Sequence, residues 1–150
     1  MRRIGALRGL SREHNDGLLL ARTARRAATG GSPPEVRRCW ERLSDAWHTE
    51  LAAHFATEER LIVPLLERVG ESWLARRLLR EHRAIRRGIE DPSRWNRARL
   101  AAIADVLASH IRREERYAFP VVERHADDDT LGLLAGHGPG ADGEIPTTGR

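Results

Sequence analysis

The sequence predicts an all-α protein: an up-down-up-down four-helix bundle with a metal site in its core and a flexible C-terminal tail. Three observations predict it. Apolar residues recur every three or four positions along four long stretches, the signature of helices with one buried face. The breaks between those stretches are short and rich in Gly, Ser and Pro, which makes sequential helices antiparallel neighbours. The chain also repeats itself. HFATEERLIVPLLER, from His54 to Arg68, returns as HIRREERYAFPVVER, from His110 to Arg124, with His, Glu-Glu-Arg, Pro and Glu-Arg in register. Upstream of each copy stands an Arg-Glu-His word, at Arg12-Glu13-His14 and at Arg80-Glu81-His82. Each half therefore offers a lone histidine and then a His-x-x-x-Glu, and such internal repetition sets an architecture.

At 150 residues, with 40% hydrophobic and 32% charged residues, the composition is that of one soluble globular domain. No run approaches the eighteen or so apolar residues of a membrane span. Arg8 interrupts the apolar start Ile4-Gly5-Ala6-Leu7, which argues against a secretory signal. One cysteine, Cys39, leaves no internal disulfide and fits a reducing, cytoplasmic location; it reads as a packing or surface residue. All 26 basic residues are arginine, among 22 acids, for a net charge of +4. They are spread along every helix without a nucleic-acid motif, so a solvated surface is favoured over a nucleic-acid partner. Nothing in the sequence points to a particular protein partner.

Residues 1–10 form a basic lead-in. Ser11 is placed to cap a first helix running to about Ala28, with His14, Leu18, Ala21, Ala24 and Ala28 on its apolar side. Gly17 within it is a weak spot or a place of close approach. After Thr29-Gly30-Gly31, Ser32 followed by Pro33 and Glu35 is a strong helix start. The second helix runs to about Val69, with Trp40, Leu43, Trp47, Leu51, His54, Glu58, Leu61 and Leu65 facing in. Pro64 predicts a kink near residue 60, and Gly70 the stop. Ser72 can cap the third helix, whose stripe is Ala75, Leu78, His82, Ile85 and Ile89. Asp91-Pro92-Ser93 ends it and caps the fourth, about Arg94 to Arg124, with Ile103, Val106, Leu107, His110, Glu114, Tyr117 and Val121 facing in. Residues 1–126 are thus the bundle, and 127–150 a largely disordered tail in which Leu131, Leu133 and Leu134 dock as one turn.

Residues four apart on a helix stand about 40° apart and one turn along, so His54 with Glu58, and His110 with Glu114, can each hold one ion. With His14 and His82 from the other helices, four imidazoles and two carboxylates meet. That is too many ligands for one ion with an open position, but it suits a dinuclear centre with ions roughly 3.5–4 Å apart. The mixed N/O set suits iron or manganese and is compatible with zinc. Without metal these would be buried polar groups costing about 1–3 kcal/mol each if unpaired; pairing carboxylate with imidazole is the metal-free alternative. Glu59 and Glu115, about 140° from their histidines, are the weaker candidates. Glu13 and Glu81 point off the stripe, toward surface or supporting roles. His48, His125 and His137 lie away from the site. Tyr117, one turn beyond Glu114, is either a core tyrosine or a hydrogen-bond donor to an oxygen between the ions.

This pattern resembles the hemerythrin-like family of HHE cation-binding domains, over about residues 8 to 125. The resemblance implies a non-haem di-iron centre, oxo- or hydroxo-bridged, with His14, His54, Glu58, His82, His110 and Glu114 as ligands. Oxygen carriers of the family have a further histidine where this chain has Arg86, and Asp where it has Glu115. Four histidines and two glutamates are more similar to members that handle nitric oxide, peroxide or iron itself. The ferritin-type word Glu-x-x-His does not occur. The resemblance and the residues together leave three functions: a module that binds or senses O2, NO or peroxide; a di-iron enzyme that decomposes peroxide or repairs iron–sulfur clusters; or a metal-free helical interaction protein.

Overall fold

The computed structural model describes residues 5–137, and every regular element in them is helical. A 3-10 turn, Gly5–Leu7, runs straight into α1, Arg8–Gly30. The helix therefore starts before Ser11, whose hydroxyl donates instead to Glu115, 2.7 Å away. α2, Pro33–Ala46, begins with the expected reciprocal cap: the Glu35 amide donates to the Ser32 hydroxyl and the Ser32 amide to the Glu35 carboxylate. One rod continues through a π-helical segment, Trp47–Leu51, into α3, Ala52–Arg68. Its end is a Schellman motif. Gly70 takes φ 87°, where a side chain would be strained, while the Glu71 amide donates to Leu66 O and the Gly70 amide to Glu67 O.

α4 spans Ser72–Glu90 and starts after Glu71 without a side-chain cap from Ser72. A 3-10 turn, Pro92–Arg94, capped by Asp91, leads to α5, Arg97–Arg113, whose first turn is capped by Asn96 rather than Ser93. A second π-helical segment, Glu114–Ala118, connects α5 to α6, Phe119–His125. Proline cannot donate to the preceding turn. Just before Pro120, the Phe119 amide donates five residues back, to Glu114 O. Pro64 sits inside α3, which stays helical through it although proline has no amide to offer Arg60 O; the π segment of that rod lies well upstream.

Past residue 126 the sequence suggested little beyond a docked turn. Asp128–Ala135 is instead an eight-residue helix, α7, capped by Asp127 and anchored by buried Leu134. The rest of the expected tail, from residue 138, lies outside the described residues.

α1 packs along α5, α3 against α4, and α4 against α5, while α7 lies on the Gly5–Leu7 turn and α3. Gly17 is a point of close approach: a Cβ there would press on the end of Ile111. The buried apolar residues form two clusters. One holds Ala21, Trp40, Leu51, Ile85 and Leu107; the other holds Leu10, Ile62, Leu78, Phe119 and Leu134. Along α1 and α4 the chain passes from the second cluster to the first; along α2–α3 and α5–α6 it passes back. Between the clusters lies a buried polar layer.

Candidate metal centre

That layer consists of His14 on α1, His54 and Glu58 on α3, His82 on α4, His110 on α5, and Glu114 where α5 becomes the π segment. None is more than 3% exposed. Helical phase explains the convergence. On each rod the histidine continues the apolar stripe, and each glutamate stands one turn after its histidine on the same side.

The donors fall into two groups. His14 and His54 meet with their Nε2 atoms 3.0 Å apart, and His82 and His110 with theirs 3.1 Å apart. The two carboxylates lie between the groups. Glu58 turns Oε1 to His54 and His14, at 2.6 and 3.5 Å, and Oε2 to His82, at 3.1 Å. Glu114 turns Oε2 to His14, at 2.9 Å, and Oε1 to His110 and His82, at 3.0 and 3.9 Å. His14, His54, Glu58 and Glu114 thus gather round one point, and Glu58, His82, His110 and Glu114 round another. Phe55 stacks on His82, centroids 3.9 Å apart, and Phe119 on His14 at 5.0 Å, walling the site with apolar rings.

The outward nitrogens have their own set of partners. Nδ1 of His54 meets Glu13, at 3.2 Å; Nδ1 of His82 meets Glu59, at 3.0 Å; Nδ1 of His110 meets Glu81, at 2.8 Å; Nδ1 of His14 meets Glu115, at 2.8 Å. Each contact joins two rods, and the four close a ring: α1 to α3, α3 to α4, α4 to α5, and the Glu114–Ala118 segment back to α1. A carboxylate accepts only, so each imidazole donates through Nδ1–H, and in the neutral ring its Nε2 lone pair faces the interior. Glu58 Oε1 and Glu114 Oε2 are buried without a hydrogen-bond partner. Inward lone pairs facing orphaned carboxylate oxygens fit a cation, and the residues present suit the metal the donor set implies.

The electrostatics agree. Burial lowers the His82 pKa, but the Glu114 and Glu58 carboxylates outweigh it and raise it to about 10. His54 is raised to about 9 against the same burial, chiefly by Glu58 and Glu13. His14 and His110 are also raised. Glu58 is held well below the usual range: burial opposes this, and the His54, His14 and His82 imidazoles overcome it. The same balance depresses Glu114, where Glu58 adds to the opposition and His110 leads the favourable side. In the metal-free chain protons therefore take the place of cations, and metal must displace them.

All six residues expected as donors are brought together. The supporting acids were harder to foresee. Glu13, Glu59, Glu81 and Glu115 are each the chain neighbour of a site residue, about 100° round the helix, and so face the next rod. Tyr117 is not at the site. It is 44% exposed, with Arg116 over its ring; the residue that follows Glu114 on the buried side is Ala118, four positions on, as Ile62 follows Glu58 in the other copy. His137 also departs from expectation, for it lies against Glu13 and Thr57. His48 bonds Ser44 O at the surface, and His125 is exposed.

Among the described residues no helix is long and apolar enough to cross a membrane. No curated protein and no solved structure matches the chain. A family model described as the hemerythrin HHE cation binding domain matches residues 5–122, well over half of it. The chain belongs to the hemerythrin family of HHE cation-binding domains.

Proposed function

We propose that this chain is an up-down-up-down four-helix bundle holding a pair of iron ions through His14, His54, Glu58, His82, His110 and Glu114, and that it binds or senses O2, NO or peroxide there. The alternating direction is supported by the order in which each rod meets the two apolar clusters. The observation that carries the dinuclear reading is the division of each carboxylate: Glu58 and Glu114 each give one oxygen to the His14/His54 group and the other to the His82/His110 group. Carboxylates so placed would serve both ions of a pair, whereas a single ion held by either group would leave two histidines unused. Manganese and zinc suit the same donors, and the metal is decided by analysis.

Iron bound there would supply a redox-active centre open to a small oxygen- or nitrogen-containing ligand. The protein's own part is to orient and to exclude. Glu13, Glu59, Glu81 and Glu115 hold the imidazole planes. Phe55 and Phe119 keep bulk water off two of them. The raised histidines take protons as metal leaves and release them as it binds.

The test is metal analysis of aerobically purified protein, with absorption spectra before and after NO or peroxide. About two irons per chain and a ligand-to-iron charge-transfer band that either reagent alters are expected. Protein free of transition metal from every growth condition overturns the proposal and leaves the metal-free interaction protein. Catalytic rather than stoichiometric loss of peroxide would make it an enzyme.

A further inference from the structure

The family match ends at residue 122, and the chain beyond it returns to the site. α7 is pinned by Leu134, 1% exposed, which packs in the apolar cluster that holds Leu7 and Leu10. This delivers His137 to a closed position, 10% exposed. Its Nε2 lies 2.6 and 2.9 Å from the two Glu13 oxygens, and its Nδ1 lies 2.9 Å from the Thr57 hydroxyl. The two contacts are complementary, since Thr57 donates to Nδ1 and Nε2–H donates to Glu13. Glu13 in turn meets Nδ1 of His54, whose ring stands edge-on to that of His137, centroids 5.8 Å apart. Glu13, His54 and His137 are close enough to hold an ion themselves. Yet their hydrogen bonds satisfy one another, and His54 already turns Nε2 inward.

Gly9 completes the seat. A Cβ at residue 9 would collide with the backbone carbonyl of His137. Two other supporting acids are held from within residues 8–113: Glu81 by Arg77 and Arg113, and Glu115 by Ser11. Among the described residues, Glu13 is the one of these that a residue of the C-terminal segment contacts.

We propose that His137 is a positioning residue: carried onto the bundle by α7, it fixes Glu13 and, through Glu13, the imidazole of His54. This rests on the reading of His54 as a ligand. It makes the two halves of the centre unequal, because among the described residues the His14/His54 half is the one supported from outside the family-matched region. Loss of a supporting contact of this kind costs about 10–100-fold in metal affinity. The loss here falls on one ion of the two.

The experiment titrates Fe(II) anaerobically into metal-free wild type, His137→Ala, His137→Gln, His54→Ala and the His54→Ala/His137→Ala double variant, with circular dichroism to verify folding. His137→Ala binds one ion as the wild type does and the other at least about tenfold more weakly. His137→Gln, whose amide N–H reaches the place of Nε2, restores most of the affinity. In the His54→Ala background, removing His137 changes nothing further. Gly9→Ala, which displaces the segment without touching a polar group, reproduces the His137→Ala pattern. Equal weakening of both ions, unchanged binding in His137→Ala or Gly9→Ala, or a further loss in the double variant overturns the inference. A readout without metal separates the two proposals: in metal-free protein the His54 Nδ1–H resonance is protected in wild type and His137→Gln and exchanges freely in His137→Ala. Wild type that takes up no iron but shows this pattern refutes the di-iron reading and keeps the role of His137; iron uptake without the pattern does the reverse.

Discussion

Replacing Glu81 by glutamine removes one charge from the ring that orients the histidines and changes almost nothing in shape. Glu81 is 8% exposed. It accepts from Nδ1 of His110 at 2.8 Å, from Nε of Arg77 at 2.9 Å and from Nε of Arg113 at 3.0 Å. Burial raises its pKa, but these three donors prevail and bring it from 4.5 to about 2. At about 1.4 kcal/mol per unit, that difference stabilises the fold by about 3 kcal/mol when the carboxylate is charged. Arg77 is 49% exposed, so its share is screened and about 2 kcal/mol is the better figure. Metal-free Glu81→Gln should therefore melt about 4–8 °C below metal-free wild type at pH 7. The folded pKa is depressed, so the stabilisation is complete above 4.5 and fades as pH falls toward 2. By about pH 3 the gap should be less than half its neutral value, in thermal melts tracked by circular dichroism across that range. A gap equally wide at both ends of the range, or none at neutral pH, would refute the assignment of this stability to the charge on Glu81.

Glu58→Ala and Glu114→Ala should each lose metal stoichiometry, measured by elemental analysis. Glu59→Ala, which removes only the Nδ1 partner of His82, should keep the stoichiometry and bind about tenfold more weakly; equal loss from Glu59 would exchange its role with that of Glu58. Metal that binds the folded state alone should raise the melting temperature in proportion to the logarithm of its free concentration, and an unchanged melt after chelation would count against a structural role for the ions. Tyr117→Phe should leave the absorption spectrum of the loaded protein unchanged, since the ring points to solvent; a shifted band would place its hydroxyl at the site.

The six donors were legible because helical phase is a property of one rod at a time. His14, His54, His82 and His110 lie on apolar stripes that a period near 3.6 identifies without reference to any neighbour. The Ser32–Glu35 start and the Gly70 stop were legible for the same reason: they are local chemistry. The features hidden from the sequence depend on which rod stands beside which. Glu13 reads as an off-stripe acid and Glu59 as a weaker ligand candidate until α1, α3 and α4 are adjacent. The π segments carry no compositional mark. After Glu114 the buried side continues at Ala118, four positions on, as it does at Ile62 after Glu58, so Tyr117, three positions on, turns outward while Ala118 and Phe119 are buried. His137 comes after a stretch without periodicity, and its position is set by the docking of Leu134.

The closed circuit of carboxylate and imidazole has a mechanical consequence. Every rod both gives a carboxylate to one neighbour and receives one at its histidine from another, so no rod can tilt or slide without releasing two rings together. Splaying of the bundle and loss of the site's geometry are therefore one event: fraying cannot begin at the polar layer and spread gradually from rod to rod.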